Sequence, residues 1–562
     1  MIKQLGENIK MNKIVLVGIN SQFIHTNLAI RYLKNYVEKY SSLNIELYES
    51  NINNHIQSII TDLFRLKASH YIFSTYIWNK EYVFTIIKEL KKIMPDITIT
   101  LGGPEVSYNA KESLIENRSI DFILVGEGEK VILNFLTNEN KSQKGVAFLK
   151  EDEFIYSGDE SPIENLDIIP FPYSDEELKE NIKILYYESS RGCPFSCSYC
   201  LSSIDKGVRY LSLERVKSDL RRFLDSGVEL VKFVDRTYNL KKDRYLGIWE
   251  YLLENYREGV TFHFEINANI FDDEIIYFLK RVPEGYFQFE IGVQSINKET
   301  MNSINRRNLL ERLKNNIKAI SKNIHLHVDL IAGLPYDTYE TFKDSFDYVY
   351  NLDAEMIQLG FLKVLSGTKI AREIEKYKYK YMEFPPYEVL SNCFIKYDEL
   401  IKLKNIEKML DYYYNSERFK YSVKYIIKNY YKRPFDFFED ISKYYDENNL
   451  LGVGHKIVAI FNHLVKFFDE KNFQGKNIFI EYLKLDYLLL GKPGVYPEWF
   501  ISDKNKEKYN KIIVEKSFTS SREGYKKTEF EKFNYDVLNN KNKEIEIFFN
   551  YSNKKVVFEV FN

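Results

Sequence analysis

Two alternations of apolar and polar positions organise this chain. In the first, short β-branched runs alternate with stretches whose apolar residues recur every three or four positions. Residues 13–18, Lys-Ile-Val-Leu-Val-Gly, read as a strand buried on both faces, and Leu28–Tyr40 as an amphipathic helix. Further strands are expected at 44–49, 71–74, 97–101 and 122–125, with helices near 54–66, 80–93 and 129–137. This pattern predicts an α/β domain over 12–150 with a doubly wound, Rossmann-like parallel sheet. Ligands of such sheets bind beyond the carboxyl ends of the strands.

Pro162, Pro170 and Pro172 then break helical periodicity, so 151–180 reads as an extended linker. The second alternation has strands expected at 182–188, 230–234, 261–266, 286–293, 324–331 and 356–364. Helical stretches separate them, which predicts a partial (β/α)6 barrel of the TIM type over 181–372, its active groups gathered at the strands' carboxyl ends. Beyond 372 the alternation stops. Tyrosine-rich helices are expected at 390–410 and 419–431 and a further helix at 456–468, and an alternating pair at 545–549 and 556–560 predicts a terminal β-hairpin. The region 373–562 is thus read as mainly α-helical, its aromatic stripes as core.

Composition narrows the setting. The 562 residues carry 79 basic and 81 acidic side chains, a net charge of −2, which gives no general pull toward nucleic acid. No apolar run reaches the roughly 18 residues of a membrane span, and the N-terminus lacks a signal-peptide core, so a cytoplasmic protein is expected. Four cysteines in so long a chain are no disulfide framework.

Three of those cysteines stand together in Arg191-Gly-Cys-Pro-Phe-Ser-Cys-Ser-Tyr-Cys200, a C-x3-C-x2-C triad. A cuboidal iron–sulfur cluster takes four thiolates, so Cys193, Cys197 and Cys200 would leave one iron open. Structural zinc also wants four ligands, and Cys393 lies far downstream without a partner motif. Two glycine loops follow strands of the first domain: Gly102-Gly-Pro-Glu-Val-Ser107 and Gly126-Glu-Gly-Glu129. Each reads as an ordinary strand-to-helix turn or as a place where a flat ligand approaches bare backbone.

The cysteine triad, the barrel pattern and the glycine loops together resemble the cobalamin-dependent radical S-adenosylmethionine enzymes. The resemblance implies a 4Fe-4S cluster on Cys193, Cys197 and Cys200, with S-adenosylmethionine chelating the open iron. It also implies S-adenosylmethionine contacts from Tyr199, Asp235, Glu265, Glu290, Gln294 of a G-x-Q-S pattern, and Ile331. Cobalamin is implied at Gly102, Gly103, Pro104, Glu105, Gly126, Glu127 and Gly128, with Thr75 and Trp78 from the end of the third strand. His25 matches one position of the D-x-H-x-x-G motif of cobalamin domains that ligate cobalt through histidine. The aspartate that would orient it is missing, so His25 is expected to pack or cap rather than to ligate.

The activity implied is a methyltransferase acting on an unactivated carbon through a 5′-deoxyadenosyl radical and methylcobalamin. Its electron donor would be of flavodoxin or ferredoxin type and its substrate a small molecule or peptide, with no nucleic acid or membrane involved. Non-methylating relatives, which carry out oxidative cyclisation or ring contraction, are the alternative. A cobalamin or iron–sulfur carrier is the alternative from another class. A tRNA methylthiotransferase would need a second three-cysteine cluster, and only Cys393 remains.

Overall fold

The computed structural model describes residues 13–561 apart from Asn181, Asp205, Lys206, Asn308, Ser517, Thr519 and Lys554. They form two units. The first runs to Leu326 and adds Gly333–Asp337 and Phe361–Phe394; the second comprises His327–Ala332, Thr338–Gly360 and the chain from Ile395 onward.

The first unit begins with five parallel strands: β1 (Ile14–Asn20), β2 (Ile45–Asn51), β3 (His70–Ser74), β4 (Thr98–Gly102) and β5 (Phe122–Leu124), in the order β2-β1-β3-β4-β5. All seven residues of β1 are buried, because helices cover both faces of the sheet. The two-residue period of the strand divides them: Val15, Val17 and Ile19 enter one apolar layer, Ile14 and Leu16 the other.

The sheet does not stop where the helical alternation stops. β6 (Val146–Lys150) and β7 (Glu153–Tyr156) pair antiparallel and extend it beyond β5, so the sheet is mixed and its last strand lies in the stretch expected to be linker. The two-residue turn is Glu151-Asp152, with φ of 47° and 68°. Such turns normally carry Asn-Gly or Asp-Gly, so its sequence hid the hairpin.

The barrel strands follow: β8 (Ile184–Tyr187), a small hairpin of β9 (Ser190–Gly192) and β10 (Val208–Tyr210), then β11 (Leu230–Phe233), β12 (Thr261–Glu265) and β13 (Phe287–Gln294). β8, β11, β12 and β13 lie parallel in that order. Their helix-facing side packs on the fully buried Trp249, stacked 5.4 Å from Phe289. The repeat continues through β14 (His325–Ala332) and β15 (Met356–Phe361), so all six expected strands form. The segment 361–394 is not helical at its end. It forms a two-stranded pair, β16 (Lys380–Tyr381) and β17 (Val389–Ser391), and the helix expected from 390 starts at Tyr397.

The second unit is largely helical and ends in an antiparallel sheet of β18 (Thr528–Phe533), β19 (Ile545–Asn550) and β20 (Val557–Phe561). The expected terminal hairpin therefore gains a third strand. Helices Pro434–Glu447 and Lys476–Leu489 were not foreseen in the sequence. The second is buried even at Glu481, Lys484 and Asp486, which blurs its periodicity. Each polar residue has a partner. Lys484 donates to the Lys532 carbonyl at 2.7 Å and pairs with Glu531 at 3.2 Å. Among the described residues no helix is long and apolar enough to cross a membrane.

Asp486 accepts from the Tyr421 and Ser422 amides at 3.0 and 2.8 Å and from the Ser422 hydroxyl at 2.6 Å. It thereby caps helix Lys420–Tyr430, whose own N-cap, Phe419, has no capping side chain. Burial pushes its carboxyl up to about 7. A folded pKa above the ordinary value of about 3.9 means that this group's contribution to stability falls as pH rises from about 4 to about 7, then levels off. Denaturant unfolding at several pH values should show that decline, and Asp486→Asn should flatten it. Asp486→Ala should cost about 1–3 kcal/mol by stranding two amides; an unchanged midpoint would contradict the capping role.

Candidate cofactor-binding site

The carboxyl ends of β1, β3, β4 and β5 open on a cavity of about 670 Å³, within the range of small-molecule sites. Gly102, Gly103, Pro104, Gly126, Glu127 and Gly128 form one wall. Tyr186, Glu188, Arg191, Val234 and Arg236, from barrel strand ends of the same unit, form another. The glycines are needed for different reasons. Gly103 has φ of 107°, and a Cβ there would strike the Thr75 carbonyl. Gly126 has φ of 85° and nothing within 4 Å of its missing Cβ, so it presents bare backbone to the space.

Thr75 lies behind this wall. Its amide donates to the Gly102 carbonyl at 2.7 Å, and its buried hydroxyl has no hydrogen-bond partner. Trp78 is on the wall, 41% exposed, stacked on Tyr76 at 4.4 Å with its Nε1 donating to the Ile19 carbonyl at 3.1 Å. His25 also lines the cavity. Glu105 does not. Its carboxylate turns to the Tyr387 hydroxyl, 2.9 Å away, and burial raises its pKa. Glu127 lines the wall with its charge already committed to Arg209 and, at 3.4 Å, to Arg191. Open glycine backbone at strand ends suits a large flat ligand such as cobalamin; the two carboxylates serve to hold the wall.

The cysteine loop leaves β9 at Gly192, whose φ of 100° and close approach to the Gly207 carbonyl exclude a side chain. Cys193 and Cys197 are buried, Cys200 is half-buried, and all are free thiols; Cys393 is exposed. The three lie within electrostatic reach of one another, and burial raises the Cys197 pKa. Yet among the described residues no three His, Cys, Asp or Glu side chains converge tightly enough for a single ion. Zinc would draw its thiolates to about 2.3 Å from one point. Three thiols brought together on one loop fit an iron–sulfur cluster that leaves one iron open.

Arg306, which no sequence pattern marked, stands beside this loop. Its Nη1 lies 3.9 Å from Cys197 Sγ and 3.4 Å from the Tyr199 hydroxyl, and its Nη2 bonds the Gly292 carbonyl. The guanidinium opposes the upward push of burial on Cys197. Only long-range packing brings it there: the Ser198 amide donates to the Ile304 carbonyl at 3.1 Å.

At the barrel strand ends the expected residues take different parts. Asp235 is fully committed, accepting from the Ser189 amide at 2.9 Å, the Ser189 hydroxyl at 2.7 Å and the Ser190 hydroxyl. It braces the strand that leads into the cysteine loop, and burial pushes it up to about 6. Glu265 and Glu290 are register partners on β12 and β13. Glu290 lies 3.2 Å from His263 Nε2 and 3.4 Å from Lys232 Nζ, which hold it down to about 2. Glu265 has no ion pair among the described residues, and burial together with the Glu290 charge pushes it up to about 7. Gln294, at φ of 70°, folds its amide over Gly292, where no side chain would fit, and its buried Oε1 has no partner. A buried acceptor without a donor fits a ligand that brings one, as the ribose of S-adenosylmethionine does. Ile331 is half-buried on β14, within the second unit.

Family models match three stretches in order: a B12 binding domain over 14–136, the radical SAM superfamily over 187–349 and a protein of unknown function, DUF4080, over 375–558. The chain is 25% identical over 306 residues to an uncharacterized methyltransferase, PH0819, of Pyrococcus horikoshii, covering 51% of this chain and 65% of that one. It is 24% identical over 321 residues to the cobalamin-dependent radical SAM methyltransferase TokK of Streptomyces tokunonensis, covering 51% and 46%. The chain thus spans about half to two thirds of the length of these relatives. Its fold is similar to that of the cobalamin-dependent S-adenosylmethionine radical enzyme OxsB with aqua-cobalamin and S-adenosylmethionine bound, at a TM-score of 0.60 and 16% identity, over 86% of this chain and 79% of that one. With B12 binding, radical SAM and DUF4080 regions in that order along it, the chain belongs to the cobalamin-dependent radical S-adenosylmethionine enzymes.

Proposed function

We propose that this protein is a C-methyltransferase that methylates an unactivated carbon of a small molecule or peptide, drawing its electron from a flavodoxin- or ferredoxin-type donor. The observation that carries the reading is the shared cavity: glycine loops of the cobalamin-type sheet and the residues flanking the cysteine loop line one space. When bound, the cluster supplies the electron that cleaves S-adenosylmethionine to a 5′-deoxyadenosyl radical, and cobalamin supplies the methyl group.

The chain's own residues bind, orient and exclude water. Cys193, Cys197 and Cys200 hold the cluster, and the Arg306 guanidinium offsets thiolate charge beside Cys197. Gln294 offers its unpartnered carbonyl to the nucleoside, and Glu265, held near neutrality, hydrogen-bonds without adding a second charge next to Glu290. Asp235 acts through Ser189 and Ser190 and so keeps the cysteine loop in register. The glycine wall admits cobalamin, while Trp78 and Tyr76 give it an apolar floor.

Protein reconstituted anaerobically should hold one four-iron cluster. The triple change of Cys193, Cys197 and Cys200 to Ala should remove the iron and the brown chromophore, and Cys393→Ala should spare both. Full iron content in the triple variant would end the reading. A side chain at position 126, whose missing Cβ meets only open space, should exclude cobalamin: Gly126→Val should weaken its binding about tenfold or more, a loss of at least about 1.4 kcal/mol, measured by equilibrium dialysis.

Turnover separates methylation from its alternative. A sulfonium methyl is electrophilic and cannot be handed to a carbon radical, whereas a cobalt-bound methyl can leave homolytically. Each methylated product should therefore consume two molecules of S-adenosylmethionine, one recovered as 5′-deoxyadenosine and one as S-adenosylhomocysteine. Deoxyadenosine without S-adenosylhomocysteine, in the presence of substrate, would favour a non-methylating reaction. Absence of deoxyadenosine under reducing conditions would leave the carrier reading.

A further inference from the structure

His25 was expected to lack an orienting partner, because the aspartate of the ligating motif is missing from its loop. The structure supplies one from elsewhere. The Tyr186 hydroxyl, on β8, lies 2.6 Å from His25 Nδ1, across 161 residues of sequence. Both side chains line the 670 Å³ cavity. Each partner is itself fixed. The Asn20 side chain donates to the His25 carbonyl at 2.9 Å, and the same amide reaches Glu49 at 2.9 Å. The Tyr186 amide donates to the Tyr173 hydroxyl at 2.8 Å, which in turn donates to the Tyr186 carbonyl at 2.9 Å.

Three properties distinguish this histidine from one that merely packs. It is in the loop beyond β1, at the carboxyl edge of the sheet where the ligand of such a fold sits. One ring nitrogen is engaged, while the other, Nε2, has no hydrogen-bond partner among the described residues. Burial and the nearby Lys232 lower its pKa, which favours the neutral ring that a metal ligand has to be. An imidazole held at one nitrogen by a neighbour and free at the other is the arrangement by which proteins aim histidine at a metal.

We propose that His25 Nε2 is an axial ligand of the bound cobalt, and that Tyr186 is the positioning residue that aims it. In this arrangement Nδ1–H donates to the phenol oxygen, which leaves the Nε2 lone pair facing the cavity. A barrel residue thereby does what an aspartate in the histidine's own loop would otherwise do, and the coordination of cobalt depends on the barrel strand that leads to the cysteine loop. The proposal rests on the cobalamin reading of the cavity.

The test uses the full chain loaded with cob(II)inamide, a corrinoid without its own nucleotide base, and electron paramagnetic resonance. The unmodified protein should split the cobalt lines into triplets from one ¹⁴N nucleus, and protein labelled with ¹⁵N-histidine should turn these into doublets. His25→Ala should remove the splitting. Tyr186→Phe, which keeps the ring but not the hydroxyl, should give a mixture of split and unsplit signals. Cobinamide bound without nitrogen splitting in the unmodified protein, or splitting that survives His25→Ala, would overturn the proposal. Cobinamide binding by the unmodified protein, measured by equilibrium dialysis, reports separately on the cobalamin reading, so that reading stands even when the splitting is absent.

Discussion

Arg191 is the residue on which the site depends. It stands immediately before Gly192-Cys193, and its guanidinium forks onto carboxylates of the glycine loop and of its own strand. Nη2 lies 2.8 Å from both Glu129 and Glu188, Nε 3.1 Å from Glu188, and Nη1 3.2 Å from Glu129. Burial alone would disfavour the cation, but the surrounding carboxylates raise its pKa well above the ordinary value. Ion pairs out of water contribute little net stability when complete, yet losing one partner typically costs about 3–5 kcal/mol, since the other charge is left buried. Their use here is geometric. Glu127 and Glu129 flank Gly128 on the cavity wall, so one planar, multiply bonded side chain sets the distance between that glycine wall and the cysteine loop. Lysine, with a single point charge, could not hold three carboxylates in a fixed plane.

The same logic separates two carboxyls that sit side by side. Glu265 and Glu290 cannot both be charged at close range in a half-buried site without a large cost. Lys232 and His263 settle which one ionises first: they neighbour Glu290, and Glu265 keeps its proton to higher pH. Two identical side chains thus titrate far apart, Glu290 near 2 and Glu265 near 7. Arg236, exposed on the cavity wall, adds its field to Glu265 without bonding to it.

The architecture was legible wherever apolar periodicity was intact. Leu28–Tyr40 and Lys80–Ile93 form as the pattern predicts, and the six barrel strands fall within a few residues of their expected places. The losses have physical causes. The β6–β7 hairpin hid behind an atypical turn, and helix Lys476–Leu489 behind buried polar residues whose partners lie dozens of positions away. Local motifs likewise named the cysteines and the cavity glycines but not the groups that orient them. Arg306 and Tyr186 meet their partners, and Arg191 meets Glu127 and Glu129, only in three dimensions, and no spacing along the chain encodes such a meeting. Glu105 shows the converse: its place after Gly102-Gly-Pro suggested a ligand, but its side chain faces the opposite way.

That orientation of Glu105 bears on the region of unknown role. Tyr387 donates to Glu105 at 2.9 Å, and Lys80 lies 3.3 Å from the same hydroxyl, with its ammonium over the Phe84 and Tyr387 rings. Glu105 is the second residue of the short helix that starts at the glycine loop, so Tyr387 fastens that loop from behind. Yet Tyr387 lies beyond residue 372, where the strand–helix alternation ends, and inside the stretch matched by the DUF4080 model. Phe361–Phe394 nonetheless belongs to the first unit. Cutting the chain at 372 would strip a buried lysine and a buried glutamate of the hydroxyl between them, next to the cavity wall. Through Tyr387 the opening part of the uncharacterised region thus gives structural support to the glycine loop.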